Sequence, residues 1–160
     1  MLLDVSAGNR HLWPNKNPPE TVFLDKERDL LIPPDVIASW RALPFRDNCF
    51  SCILFDPPND PSWGSTSGHR DPKGRKARFW GNPASRRNLV SDIYHGQKEF
   101  ARISPRLCLK WNETAITLEA ILSLFDRWDE KYRLEYLSRK KRGGSSTFWV
   151  TLIRKKLRYI

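Results

Sequence analysis

Residues 52–60 read CILFDPPND, an apolar run that ends abruptly in an aspartate and two prolines. An apolar run without polar alternation is typical of a strand buried on both faces, as in a parallel sheet. Proline lacks a backbone N–H and has a fixed φ, so it belongs beyond the end of such a strand. The stretch therefore predicts a buried strand that holds the Asp56 carboxylate beside two rigid residues.

The rest of the chain places strands and helices around this stretch. Apolar spacing predicts a helix over 86–103, and Thr117 is predicted to cap a second helix. That helix would have an apolar face formed by Ala120, Ile121, Leu124, Phe125 and Trp128. Further strands are predicted in MLLDVSAG (1–8), TVFLDKE (21–27), PDVIASW (34–40), RLCLKWNE (106–113), YRLEYLSRKK (132–141) and TFWVTLIRKK (147–156).

Alternating strands and helices indicate an α/β fold, and the last two strand patterns, around Gly143-Gly144, indicate an antiparallel terminal strand. We expect residues 1–160 to form a single domain, with a long loop over about 60–85 that contacts substrate. There is no apolar run long enough to cross a membrane and no export signal, so we expect a cytoplasmic protein without a membrane partner.

Charge is distributed unevenly along the chain. The net charge is +10, yet residues 1–60 carry six Lys and Arg against nine Asp and Glu. A basic C-terminal part predicts a polyanionic partner, most often nucleic acid, although charge that only maintains solubility is the alternative. The predicted nucleic-acid contacts in and beside the loop are Arg70, Lys73, Arg75, Lys76, Arg78, Trp80, Arg86 and Arg87.

Cysteine content bears on the kind of site to expect. Three cysteines argue against a disulfide framework, and Cys49 and Cys52 form a single C-x-x-C with no second pair. We therefore expect no metal centre.

Special residues follow several of the predicted strands. In open α/β sheets, ligands bind beyond the carboxyl ends of the strands. Gly8 follows the first strand and would let the backbone approach a ligand. Asp25 ends the second strand, where an acid can accept a hydrogen bond from a ribose hydroxyl. Lys110 and Trp111 end the fifth strand near this edge, and we expect Trp111 to lie in the core.

Taken together, LLDVSAGNRHLW, TVFLDKE, PDVIASWRALPFRDNCFSCILFDPP and LCLKWNE resemble the class I S-adenosylmethionine-dependent methyltransferases. More narrowly, they are similar to a compact phage and prokaryotic group described as DNA-methylase-like. The resemblance covers nearly the whole chain and implies a Rossmann-like fold with a seven-stranded sheet, helices on both faces and a truncated first crossover. It also implies S-adenosylmethionine as cofactor, bound by Asp4, Ser6, Ala7, Gly8, Asp25, Lys26, Ser39, Trp40 and Arg41.

The same resemblance assigns Asp56, Pro57, Pro58 and Asn59 to an amine-methyltransferase motif. A carboxylate and a proline carbonyl that accept both N–H hydrogens of an amine would aim its lone pair at the methyl donor. Asn59 departs from the family pattern, which has an aromatic residue or histidine there to stack on the target base. Ser39 departs as well, since an acidic residue is common near this position.

The sequence therefore predicts an N-methyltransferase that acts on an exocyclic amine of nucleic acid, with adenine N6 in DNA favoured. An RNA amine methyltransferase, acting on guanine N2 or adenine N6, stays open. So does a non-catalytic nucleic-acid-binding subunit of a methyltransferase complex. A homodimer, or a partner subunit that supplies target recognition, is compatible with a chain of this length.

Overall fold

The computed structural model describes residues 1–58, 86–114, 116–137 and 146–156. Within them lies a seven-stranded sheet with the order β3-β2-β1-β4-β5-β7-β6. The first five strands in this order are parallel, and β7 runs antiparallel to both β5 and β6. The strands are β1 (Leu2–Asp4), β2 (Thr21–Asp25), β3 (Val36–Ile37), β4 (Cys52–Phe55), β5 (Arg106–Asn112), β6 (Trp128–Leu137) and β7 (Ser146–Arg154).

This sheet confirms the α/β prediction and the antiparallel terminal strand. β4 forms as the apolar run predicts, and Asp56, Pro57 and Pro58 follow it directly, all three buried. The predicted truncation of the first crossover is also present, because residues 5–20 connect β1 to β2 through turns rather than a helix.

Two helices are described, and only one matches its prediction in full. Helix α1 spans Arg86–Ile103, the range that the apolar spacing predicts. Helix α2 spans only Leu118–Leu122, and the Thr117 hydroxyl caps it by accepting from the Ala120 N–H. The predicted longer apolar face was wrong: Ala120 is exposed, and Trp128 already belongs to β6. Helical spacing did not predict this because Phe125 is buried from the turn after the helix and Trp128 from the first position of β6.

The core lies on one face of the sheet. Leu3, Ile53 and Leu107 sit side by side on neighbouring strands, and the buried residues of α1 and α2 join the same cluster. On the opposite face, Phe23 is covered by Arg10 and Trp13 from the connection between β1 and β2. Within the described residues, the prediction of helices on both faces is therefore confirmed for one face only.

Among the residues that the structure describes, no helix is both long and apolar enough to span a membrane.

Trp111 confirms its predicted place in the core and offers a test of the packing. It is fully buried, and its indole Nε1 donates to the Ile116 carbonyl at 3.0 Å. We expect Trp111→Phe to lower the free energy of unfolding by about 2–4 kcal/mol, because it leaves a buried carbonyl unpaired and opens a cavity. Urea denaturation measures this. Tyr94→Phe on the exposed side of α1 is the control, and an equal loss in both variants would contradict the assignment.

Candidate active site

The carboxyl ends of β1 and β4 are joined by a buried hydrogen bond. The backbone N–H of Asp56 donates to the Ser6 hydroxyl at 2.8 Å, and both residues are buried. Asp4 ends β1 beside them and accepts from the Ser6 N–H at 3.2 Å and from the Trp13 indole at 2.8 Å. The two acids at these strand ends are therefore fixed in position before any ligand arrives.

A second link joins the turn after β1 to the end of β2. Gly8 has φ 49°, a left-handed conformation that favours glycine, and its N–H donates to Asp25 Oδ2 at 2.8 Å. Asp25 Oδ1 accepts from the Glu27 N–H at 3.0 Å. Each carboxylate oxygen can accept more than one hydrogen bond, so Asp25 keeps capacity for a ligand hydroxyl.

These strand ends border an open cleft. Its walls combine the end of β1, the end of β2, the segment after β3 and the second proline of the Asp56 motif. Such a concave site with a few fixed polar groups and apolar walls is typical of small-molecule binding. The lining residues are Val5, Ser6, Asp25, Lys26, Ala38, Trp40 and Pro58.

The connection between β1 and β2 is held by polar contacts in place of a helix. Arg10 lies 3.9 Å from the Phe23 ring centroid, and its Nη1 donates to the Lys16 carbonyl at 2.7 Å and to Asn17 at 2.6 Å. Lys16 Nζ donates to the carbonyls of Arg10 and Trp13. These bonds fix the connection that contains the turn at Gly8.

Asp56 has a charged partner on the neighbouring strand. Lys110 Nζ, on β5, lies 2.8 Å from Asp56 Oδ2, and no described residue donates to Asp56 Oδ1. Burial raises the pKa of Asp56, and the Lys110 ammonium opposes that rise. The arrangement supplies a buried carboxylate with one oxygen engaged by a cation and the other available to an N–H donor.

Four of the nine predicted cofactor residues line the cleft. They are Ser6, Asp25, Lys26 and Trp40. Asp4 and Ala7 are buried behind it, where Ala7 donates its N–H to the Leu24 carbonyl.

Ser39 and Arg41 do not line the cleft. The Ser39 hydroxyl accepts from the Arg41 N–H, and the Arg41 guanidinium pairs with Asp92 of α1 at 3.1 Å. The contacts of Ser39 and Arg41 with the cofactor stay a prediction.

Other predicted site residues fall outside the description. Arg86 and Arg87 are described as backbone only, at the start of α1. Asn59, Arg70, Lys73, Arg75, Lys76, Arg78 and Trp80 lie outside the described residues.

Sequence reasoning placed Lys110 near this edge but gave it no role, and it did not select Val5 or Ala38. A local signal for Lys110 does exist. It is a cation within the apolar strand RLCLKWN, and the alternation of side chains along a strand places it on the face opposite to Leu109 and Trp111. Val5 and Ala38 carry no such signal, because small apolar residues next to strand ends are common.

Comparison with solved structures supports the architecture. No protein-family model and no curated protein matches the sequence. The N-methyltransferase NodS from Bradyrhizobium japonicum is similar with TM-score 0.60 and 8% identity, over 97% of this chain and 85% of NodS. A SAM-dependent methyltransferase from Methanosarcina mazei is similar with TM-score 0.56 and 10% identity, over 96% of this chain and 91% of that one.

The chain has a class I methyltransferase fold. The [4+2]-cyclase SpnF is also similar, with TM-score 0.54 and 12% identity over 96% of this chain and 73% of SpnF. A fold that serves both methyl transfer and cyclisation does not determine the reaction, so the function has to be argued from the site.

The buried Asp4 gives the site a measurable pH dependence. Burial raises its pKa from 3.8 to about 6, against the opposing hydrogen bond from Trp13. The unfolded chain therefore loses this proton first, and folding stability should fall as pH rises from 4 to 6. We expect this decline to reach about 3 kcal/mol.

In Asp4→Asn this contribution should be lost, which leaves the contribution of Asp56 in the same direction and the opposite contributions of Glu99 and Glu130, whose pKa values are lowered by Arg102 and Arg133. Denaturant titrations between pH 4 and 6 measure how the free energy of unfolding changes with pH. The variants are compared by this slope and not by their stability at one pH. Asp129→Asn, at an exposed carboxylate, should leave the slope unchanged. An Asp4→Asn slope equal to that of the wild type would show that Asp4 ionises normally.

Proposed function

We propose that the protein is an S-adenosylmethionine-dependent N-methyltransferase whose cofactor binds in the cleft at the ends of β1, β2 and β3. The proposal is supported by the fold and by the Asp56-Pro57-Pro58 sequence, whose second proline lines the same cleft. NodS, which is similar in fold, is named as an N-methyltransferase.

The residues present fit this cofactor. Gly8 adds no side chain at the turn next to the cleft, and its fixed conformation presents the backbone. Asp25 offers carboxylate oxygens to the ribose hydroxyls, and Trp40 with Ala38 gives an apolar wall for the adenine ring. Asp4 and Ala7 support this turn from behind. When bound, the cofactor would supply an electrophilic methyl group on a sulfonium.

Asp56 is the residue that carries the chemical argument. In the proposed scheme its Oδ1 accepts from one hydrogen of a substrate amine, and a proline carbonyl of Pro57-Pro58 accepts from the other. The two acceptors turn the nitrogen lone pair toward the methyl donor and stabilise the positive charge that develops on nitrogen. Pro57 and Pro58 keep the loop stiff and contribute no competing N–H.

Lys110 serves Asp56 as a positioning residue in this scheme. Its ammonium fixes Oδ2 at 2.8 Å and favours the ionised carboxylate, against the burial that would neutralise it. A protonated Asp56 would be a weaker acceptor for an amine, so the ion pair keeps the motif in its useful state.

We further propose that the substrate amine belongs to nucleic acid, with adenine N6 in DNA favoured. The net charge of +10, concentrated after residue 60, supports a polyanionic substrate. Asn59 and the basic residues between Arg70 and Arg87 remain proposed base and phosphate contacts. An RNA amine and a non-catalytic binding subunit are the alternatives that the assay below separates.

Asp56→Ala tests the catalytic assignment because it removes both carboxylate oxygens and with them the proposed acceptor. We expect methyl transfer to fall about a hundredfold, a loss typical of removing a transition-state acceptor. Affinity for S-adenosylhomocysteine, measured by calorimetry, should remain close to that of the wild type, since Asp56 does not hold the cofactor.

The matched control is Asp25→Ala, which should weaken S-adenosylhomocysteine by about 1–3 kcal/mol through the lost ribose acceptor. Radiolabelled methyl transfer onto DNA, RNA and small amines, followed by nucleoside mass spectrometry, identifies the substrate. Near wild-type transfer by a folded Asp56→Ala variant that still binds S-adenosylhomocysteine would refute the mechanism. Tight nucleic-acid binding without any transfer by the wild type would favour the binding subunit.

A further inference from the structure

The edge strand β6 exposes an unusual set of side chains. Tyr132, Leu134 and Tyr136 are 58%, 41% and 57% exposed, and they alternate along the strand, so they share one face of the sheet. In the described sheet β6 has β7 on one side and no strand on the other. A ten-residue strand with an open edge presents backbone donors and acceptors that favour pairing with another chain.

We propose that β6 pairs in antiparallel fashion with β6 of a second copy, about a two-fold axis through Leu134. In this register Leu134 faces its own counterpart, and each Tyr132 faces Tyr136 of the other copy. Each Arg133 faces Glu135 of the other copy on the opposite side of the sheet. All three exposed apolar side chains thus gain an apolar cross-strand neighbour, and the charges are paired.

The neighbouring registers are disfavoured by charge. A two-fold axis through Arg133 sets arginine against arginine, and an axis through Glu135 sets glutamate against glutamate. A slip of one residue places Arg133 opposite Leu134 and moves each apolar side chain against a polar one. Among antiparallel pairings centred on this part of the strand, the Leu134 register is the one without such conflicts.

The side chains that would pair have hydrogen-bonding capacity left. Arg133 uses three of its five N–H donors, two on Glu130 and one on Glu119. Glu135 Oε1 accepts from the Ser146 hydroxyl, which leaves Oε2 for a further donor. The intermolecular ion pairs therefore need not break the contacts within one chain.

This interface is independent of the proposed methyl transfer. β6 lies at the opposite end of the sheet from β3, and β5 and β7 separate it from β4. The symmetric pairing is isologous and closes at two subunits, so it predicts a dimer rather than a fibre.

Sedimentation velocity over a dilution series tests the proposal. We expect the wild type to approach twice 18.8 kDa as concentration rises. Arg133→Glu and Glu135→Arg should each sediment as monomers, because like charges then face each other across the axis. An equimolar mixture of the two variants should restore the dimer, since every charged pair in the mixed species joins opposite charges.

Leu134→Lys and Leu134→Glu give a second test that leaves the Arg133 ion pairs intact. Each alone should be monomeric, with two like charges on the axis, and their mixture should dimerise. Circular dichroism confirms that each variant folds. A wild type that stays monomeric at all concentrations would overturn the proposal. So would dimers that persist in the single variants, or mixtures of either pair that stay monomeric.

Discussion

The parallel pairing of β1 with both β2 and β4 is the constraint on which the site depends. Asp4 is paired with Phe23 on β2 and with Leu54 on β4, so Asp25 and Asp56 each lie two residues beyond the level of Asp4. Parallel strands end at a common edge, and this register brings the glycine turn, Asp25 and Asp56 to that edge together. The bonds from Gly8 to Asp25 and from Asp56 to Ser6 then tie the three strand ends to each other.

No helix connects β1 to β2, and polar side-chain contacts hold this connection in place instead. Arg10 stacks on Phe23 and donates to the Lys16 carbonyl, while the Trp13 indole donates to Asp4. A short connection with several side-chain-to-backbone bonds holds the turn at Gly8 in place, where a longer crossover would use helix packing. This arrangement buries the Asp4 carboxyl group. Burial disfavours its ionised form and raises its pKa to about 6.

Much of the fold was predictable because its signals are local. Apolar runs ending at Asp25 and Asp56 marked the buried strands, and the spacing in residues 86–103 marked α1. The extent of α2 was not predictable, since Phe125 and Trp128 fit a helical spacing although a turn and a strand bury them.

Sites depend on contacts between distant residues, and these are harder to foresee. Ser6, Asp25, Lys26 and Trp40 line one cleft because strand ends converge in any parallel sheet, while their contacts with a cofactor stay a prediction. The pairing of Lys110 with Asp56 joins residues 54 positions apart, and the diversion of Arg41 to Asp92 joins residues 51 apart. Neither contact has a signature in the local sequence.

A crystal structure with S-adenosylhomocysteine tests the central claim most directly. The account predicts the ligand in the cleft at the ends of β1, β2 and β3, with the ribose hydroxyls on the Asp25 carboxylate and the sulfur on the side of Asp56 and Pro57. A ligand bound elsewhere, or bound in the cleft with its sulfur directed away from Asp56, would contradict the account.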